Sequence, residues 1–146
     1  MEALQKAAKI GFATEYSFVI KAQNFHWNVT GPLFEQYHAL FGNIYEEAYS
    51  SIDAFAENIR KLGAFTPASF SKFSMLSQVE DENNDHMPVE AMIAELLQDN
   101  EKMINVLKLV YQQSEQAGEY GFSNFLAERI DAHRKHGWML QASLGQ

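Results

Sequence analysis

Apolar residues recur at helical spacing through most of the chain, as at Leu96, Leu97, Met103, Ile104, Leu107 and Val110, and few breaks interrupt them. The breaks fall at Thr30-Gly31-Pro32, Gly63 through Pro67, Asp85 through Pro88 and Gly118 through Gly121. They predict long helices over about 3–28, 33–62, 89–117 and 121–144. The middle connection, Gly63 to Pro88, runs for about two dozen residues, too long for an ordinary loop in a compact domain. It is expected to cross the length of a bundle and to carry a short helix around Ser69–Leu76. Short, long, short connections describe an all-α, up-down-down-up four-helix bundle with one crossover. The 146 residues fit one domain spanning 1–146, with no internal repeat or low-complexity tract.

The residue types narrow the chemistry. There is no cysteine, so any metal must be held by histidine, carboxylate, backbone or water, a donor set that suits iron, manganese or zinc better than soft copper. The opening residues lack the basic and apolar regions of a signal peptide, and no stretch reaches membrane-spanning length, so a cytoplasmic location without membrane partners is expected. A net charge of -8, from 11 Lys and Arg against 19 Asp and Glu, disfavours nucleic-acid binding, which depends on cations meeting phosphates. Neither end is a basic tail.

Four residues stand out as metal ligands: His26, His38, Asp53 and Glu57. Asp53 and Glu57 are four apart, so their carboxylates leave one helical face. On a continuous second helix, however, His38 and Asp53 lie about 22 Å apart at ~1.5 Å of rise per residue. Metal bonds of about 2.0–2.6 Å cannot span that gap. Either the four are unrelated, or the histidines of one subunit meet the carboxylates of another. Two antiparallel copies of the helix would make two such sites about a two-fold axis. The aromatic content of the second helix, with Tyr45, Tyr49 and Phe55, leaves apolar surface for a neighbouring subunit.

Other candidates read more simply. Glu35 and His38 form a Glu-x-x-His pair, a di-iron bundle motif that normally occurs twice and here has no second copy. His133 continues the apolar series Leu126, Ile130, Gly137 and Leu140 and reads as packing, together with His136. His86 lies in a polar segment without calcium-loop spacing. No phosphate loop, nucleophile elbow or dinucleotide fingerprint is present.

The run His26-Trp27-Asn28-Val29-Thr30-Gly31-Pro32, then His38, then Asp53-Ala54-Phe55-Ala56-Glu57-Asn58-Ile59-Arg60-Lys61-Leu62-Gly63, resembles the Dps family of miniferritins. The ending Arg129-Ile130-Asp131-Ala132-His133-Arg134-Lys135-His136-Gly137-Trp138-Met139-Leu140 is similar to the family's last helix. The resemblance implies a ferritin-like subunit, a hollow homododecamer, and ferroxidase sites at two-fold interfaces. His26 and His38 match the family's histidines, and Asp53 and Glu57 its bridging and terminal carboxylates. Trp27 matches an aromatic beside the site that can be oxidised in place of more vulnerable targets. The implied reaction oxidises Fe2+ with hydrogen peroxide, in preference to O2, and stores ferric iron, at a site holding one or two irons. Many relatives also bind DNA, which the charge argues against here; a shell with an impaired site is the other alternative.

Two positions differ from the family pattern. Asn124 stands where an acidic residue lines the three-fold entry pores, and Glu128 and Asp131 on the same face either restore that lining or form a solvated surface. Gly42 stands where relatives commonly carry an acidic residue. Its lack of a side chain predicts one tight and one weak iron position, with Gly42→Asp raising the number of tight irons.

Overall fold

The computed structural model describes residues 1–146 and is helical, with no strand. Its helices are α1 (Glu2–Asn28), α2 (Phe34–Ser50), α3 (Ile52–Lys61), α4 (Phe70–Leu76), α5 (Val89–Gln116) and α6 (Tyr120–Ser143). No helix is long and apolar enough to cross a membrane. The first, third and fourth long helices lie where the spacing predicts them.

The second departs from expectation. In place of one helix over about 33–62, α2 ends at Ser50 and α3 begins at Ile52. Ser51 keeps helical angles (φ -89, ψ -12), but its N–H bonds the closer Ala48 carbonyl at 3.2 Å. Its hydroxyl donates to that same carbonyl at 2.7 Å, the local competition by which serine tightens or bends a helix. The interruption is local, because Phe55 N–H still donates to Ser51 O at 3.0 Å.

Glycine ends two of the helices. Gly63 (φ 86) and Gly118 (φ 72) take the left-handed conformation that other residues avoid. After Gly63, Ala64 N–H reaches back to Ile59 O while Gly63 N–H bonds Arg60 O. The last carbonyls of α3 are thereby satisfied, and the chain turns out into the crossover. Ser69 caps α4, its hydroxyl accepting from Lys72 N–H at 3.3 Å. The crossover is tied down along its length: Thr66 Oγ1 donates to Ala56 O at 2.7 Å, Gln78 N–H to Thr14 Oγ1 at 3.1 Å, and Asn24 Nδ2 to Glu82 O at 3.2 Å.

One hydrophobic core runs through the bundle. The α1 helix packs against α2, α3, α4 and α5, and α5 lies along α6. Phe18, Phe25, Phe41 and Phe55 are fully enclosed, each side chain contributing about 1.5–3 kcal/mol by leaving water. Phe55 joins α3 to α1 through Phe12 and to α6 through Phe122 and Phe125, at ring separations of 5.7, 6.1 and 5.4 Å. Truncating it to alanine would cost about 3–5 kcal/mol.

Candidate metal centre

The end of α1 and the start of α2 meet at a corner made by two histidines. His26 Nδ1 lies 2.6 Å from the His38 carbonyl oxygen, and His38 Nδ1 lies 2.6 Å from the His26 carbonyl oxygen. A carbonyl only accepts, so both Nδ1 atoms carry the proton. In each neutral ring Nε2 is then left with a lone pair, the form a metal requires. The rings stack with centroids 3.8 Å apart, between Phe34 on one side and Tyr45 on the other. Both are only half-buried, and Trp27 beside them is 63% exposed.

Gly42 belongs to this corner, packed against the His26 ring. A Cβ at position 42 would stand 2.8 Å from His26 Cε1 and 2.9 Å from its Nδ1, closer than real contacts allow. The bare backbone of α2 is the surface on which the imidazole rests. Any side chain at this position would require the His26 ring to shift.

Asp53 and Glu57 are both exposed on α3. The structure thus brings His26 to His38 and sets Asp53 near Glu57 as a separate pair. No three His, Asp or Glu side chains of one chain are arranged to hold a metal ion. Asn124, Glu128 and Asp131 are all exposed along α6.

Comparison with known proteins gives this geometry its context. The model of the ferritin-like domain matches residues 6–146. The DNA protection during starvation protein 2 of Bacillus anthracis is 30% identical over 126 residues, covering 86% of each chain. The chain belongs to the Dps family of ferritin-like proteins. Among solved structures, the Dps of Thermosynechococcus elongatus superposes with a TM-score of 0.95 at 24% identity, covering 99% of this chain and 92% of that one. The Dps protein of Vibrio cholerae O1, described as a member of the ferritin-like diiron-carboxylate superfamily, matches with a TM-score of 0.92 at 25% identity, covering 98% and 89%.

The interior of this Dps-family bundle holds a second polar assembly, which the sequence reading took for packing. His133 is indeed fully buried and His136 nearly so, but neither sits among apolar groups alone. Arg129 donates from Nε to Glu15 Oε1 at 2.9 Å and from Nη1 to Glu47 Oε2 at 2.6 Å. Its Nη2 is 2.8 Å from Glu15 Oε1 and 3.1 Å from Glu47 Oε1. His136 Nε2 donates to Glu47 Oε1 at 2.8 Å. His133 links Glu15 Oε2, 2.7 Å from its Nε2, to Asn100 Oδ1, 2.8 Å from its Nδ1.

Burial works against each of these charges and their neighbours oppose it. For Glu15 the desolvation is overcome by His133 and Arg129, and the carboxyl lies below its ordinary value. Glu47 is likewise disfavoured by burial, but hydrogen bonds from His136 and Arg129 hold it at about 2. Glu15, alone and acidic between Phe12 and Phe18, and the spacing of Arg129, His133 and His136 on one face of α6 were the available signals in the sequence.

Proposed function

We propose that this chain is a cytoplasmic miniferritin that oxidises Fe2+ at sites shared between two copies and stores the ferric product in a hollow, dodecameric shell. The observation that carries the reading is the reciprocal histidine pair, which leaves two imidazole Nε2 lone pairs oriented and unclaimed at the bundle surface. Asp53 and Glu57 supply the hard oxygen donors that iron also prefers. One chain cannot bring the two pairs together, so His26 and His38 of one subunit would face Asp53 and Glu57 of its two-fold mate, with Asp53 bridging and Glu57 terminal.

In this reading two Fe2+ substrates each give one electron to hydrogen peroxide, the preferred oxidant over O2. The O–O bond breaks, both oxygens leave as water or hydroxide, and Fe3+ hydrolyses to an oxyhydroxide with release of protons. Taking both electrons together avoids the hydroxyl radical. Trp27, exposed beside His26, would absorb a stray oxidising equivalent. Glu128 and Asp131 on α6 would line the route by which cations enter. Exposed Leu33, Phe34, Tyr49, Phe65 and Phe70 supply apolar surface for self-association.

Subunit mixing tests the shared site. A His26→Ala/His38→Ala chain and an Asp53→Ala/Glu57→Ala chain, each inactive alone, should regain part of the Fe2+ oxidation rate when co-assembled, because some interfaces then hold one intact site. If mixed shells form normally and regain nothing, the shared-site reading fails.

A further inference from the structure

Aromatic rings stand in a column at the histidine corner. Phe34 stacks on His38 with centroids 5.0 Å apart, His38 on His26 at 3.8 Å, and Tyr45 closes the other end 5.3 Å from His26. The inner two are the imidazoles with free Nε2 lone pairs. Of the outer two, the phenyl ring holds its electrons too tightly to serve as a donor, whereas a phenol can give up an electron together with its hydroxyl proton. Trp27 is largely exposed and stands outside the column. We propose that Tyr45 is a redox partner of the histidine corner, supplying the second electron when hydrogen peroxide meets a site that holds a single Fe2+. The proposal rests on the iron-oxidising reading above.

Gly42 creates the contact. Positions 42 and 45 are neighbours on one face of α2. Because a Cβ at 42 would meet His26 Cε1 at 2.8 Å, the bare backbone there is what lets the imidazole lie against α2 beside the Tyr45 ring. Tyr45 is half-buried, packed against the core on one side and open enough for its proton to pass to water.

Ligand counting gives the need for such a donor. Two imidazoles and one carboxylate are a sufficient protein ligand set for one non-haem Fe2+. His26, His38 and Asp53 therefore complete a single position, and Glu57 alone remains for a second ion. Peroxide reaching a singly loaded site finds one electron where it needs two, and one-electron cleavage releases hydroxyl radical. With Tyr45 beside His26, Fe2+ gives one electron and the phenol gives one electron and one proton. The O–O bond breaks, one further proton comes from solvent, and two water molecules leave; Fe3+ and a neutral phenoxyl radical remain. A second Fe2+ then reduces the phenoxyl, which takes a proton from solvent, and Tyr45 is restored. Two Fe2+ are consumed per peroxide, as in the paired reaction, though the two ions need never be bound together.

The test is freeze-quench electron paramagnetic resonance on assembled protein loaded anaerobically with one Fe2+ per site and mixed with one equivalent of peroxide. A tyrosyl signal should appear as Fe2+ is consumed, narrow when the tyrosines are ring-deuterated, and disappear on addition of a second equivalent of Fe2+. Tyr45→Phe keeps a ring in the column and removes only the hydroxyl; it should lose the signal, while spin-trapped hydroxyl radical rises severalfold. Tyr49→Phe, which alters the exposed tyrosine one turn further along α2, should keep the signal. Fe2+ oxidised without a tyrosyl signal, or a signal that persists in Tyr45→Phe, overturns the inference and leaves the iron reading standing. So does a Tyr45→Phe variant whose only defect is weaker Fe2+ binding, since that marks Tyr45 as support for His26 alone. A parent that takes up no Fe2+ overturns the iron reading first and this inference with it.

Discussion

At position 42 a hydrogen atom in place of a side chain decides where an imidazole lies. Alanine at an open helical position would stabilise the chain by about 1 kcal/mol relative to glycine. Here its methyl group would meet His26 at 2.8 Å, so the sign should reverse. Gly42→Ala and Gly42→Asp are both expected to lower affinity for Fe2+ about ten- to a hundred-fold, the usual cost of disturbing a ligand's support. Anaerobic titration checks this, and unchanged or tighter binding in the aspartate variant would favour the missing-ligand reading instead. Glycine 42 shows what the sequence could and could not convey. Its oddness was legible from the family resemblance, but its purpose depends on a ring contributed by another helix. His26 and His38 were legible as candidates from their residue type and from the family resemblance that their neighbours carry. That each bonds the other's backbone required coordinates.

Among the elements, the ends were easier to read than the interiors. Gly63, Ser69 and Gly118 act locally, and the boundaries they imply were recovered. The break at Ser51 was missed because it depends on a serine hydroxyl turning back on its own helix. The link from Glu15 to Arg129 was missed because it joins residues 114 positions apart. This inter-helix network makes a pH prediction. Glu47 is held at about 2 and Glu15 is also lowered, against an ordinary value of 4.5. Groups depressed in the folded state contribute stability that is complete above the unfolded value and is lost as pH falls through the folded one. The thermal midpoint should therefore hold above pH 4.5 and decline steadily toward pH 2. Glu47→Gln should flatten part of that decline, and an acid profile parallel to the parent's would count against the ion pairs as its cause.

For the whole molecule, charge sets the partners. With -8 per chain, multiplied over any shell, duplex DNA should be repelled. Gel-shift measurements with linear DNA at physiological salt and without divalent cations should show no retention at micromolar protein. Retention under those conditions would contradict the prediction, whereas retention only with Mg2+ would indicate bridging by the ion.

The buried network also bears on how the helices are kept in step. Apolar faces alone tolerate sliding, since one leucine ridge fits the next groove nearly as well. Moving α6 by one turn along its neighbours, about 5.4 Å, would pull Arg129 from Glu15 and strand a carboxylate in the core. Leaving one member of such a buried pair alone costs about 3–5 kcal/mol, a large part of the stability of an ordinary domain. The ionic centre is thus a pin that permits one alignment of the bundle, and every subunit of an assembly would present its outer faces in the same relative positions.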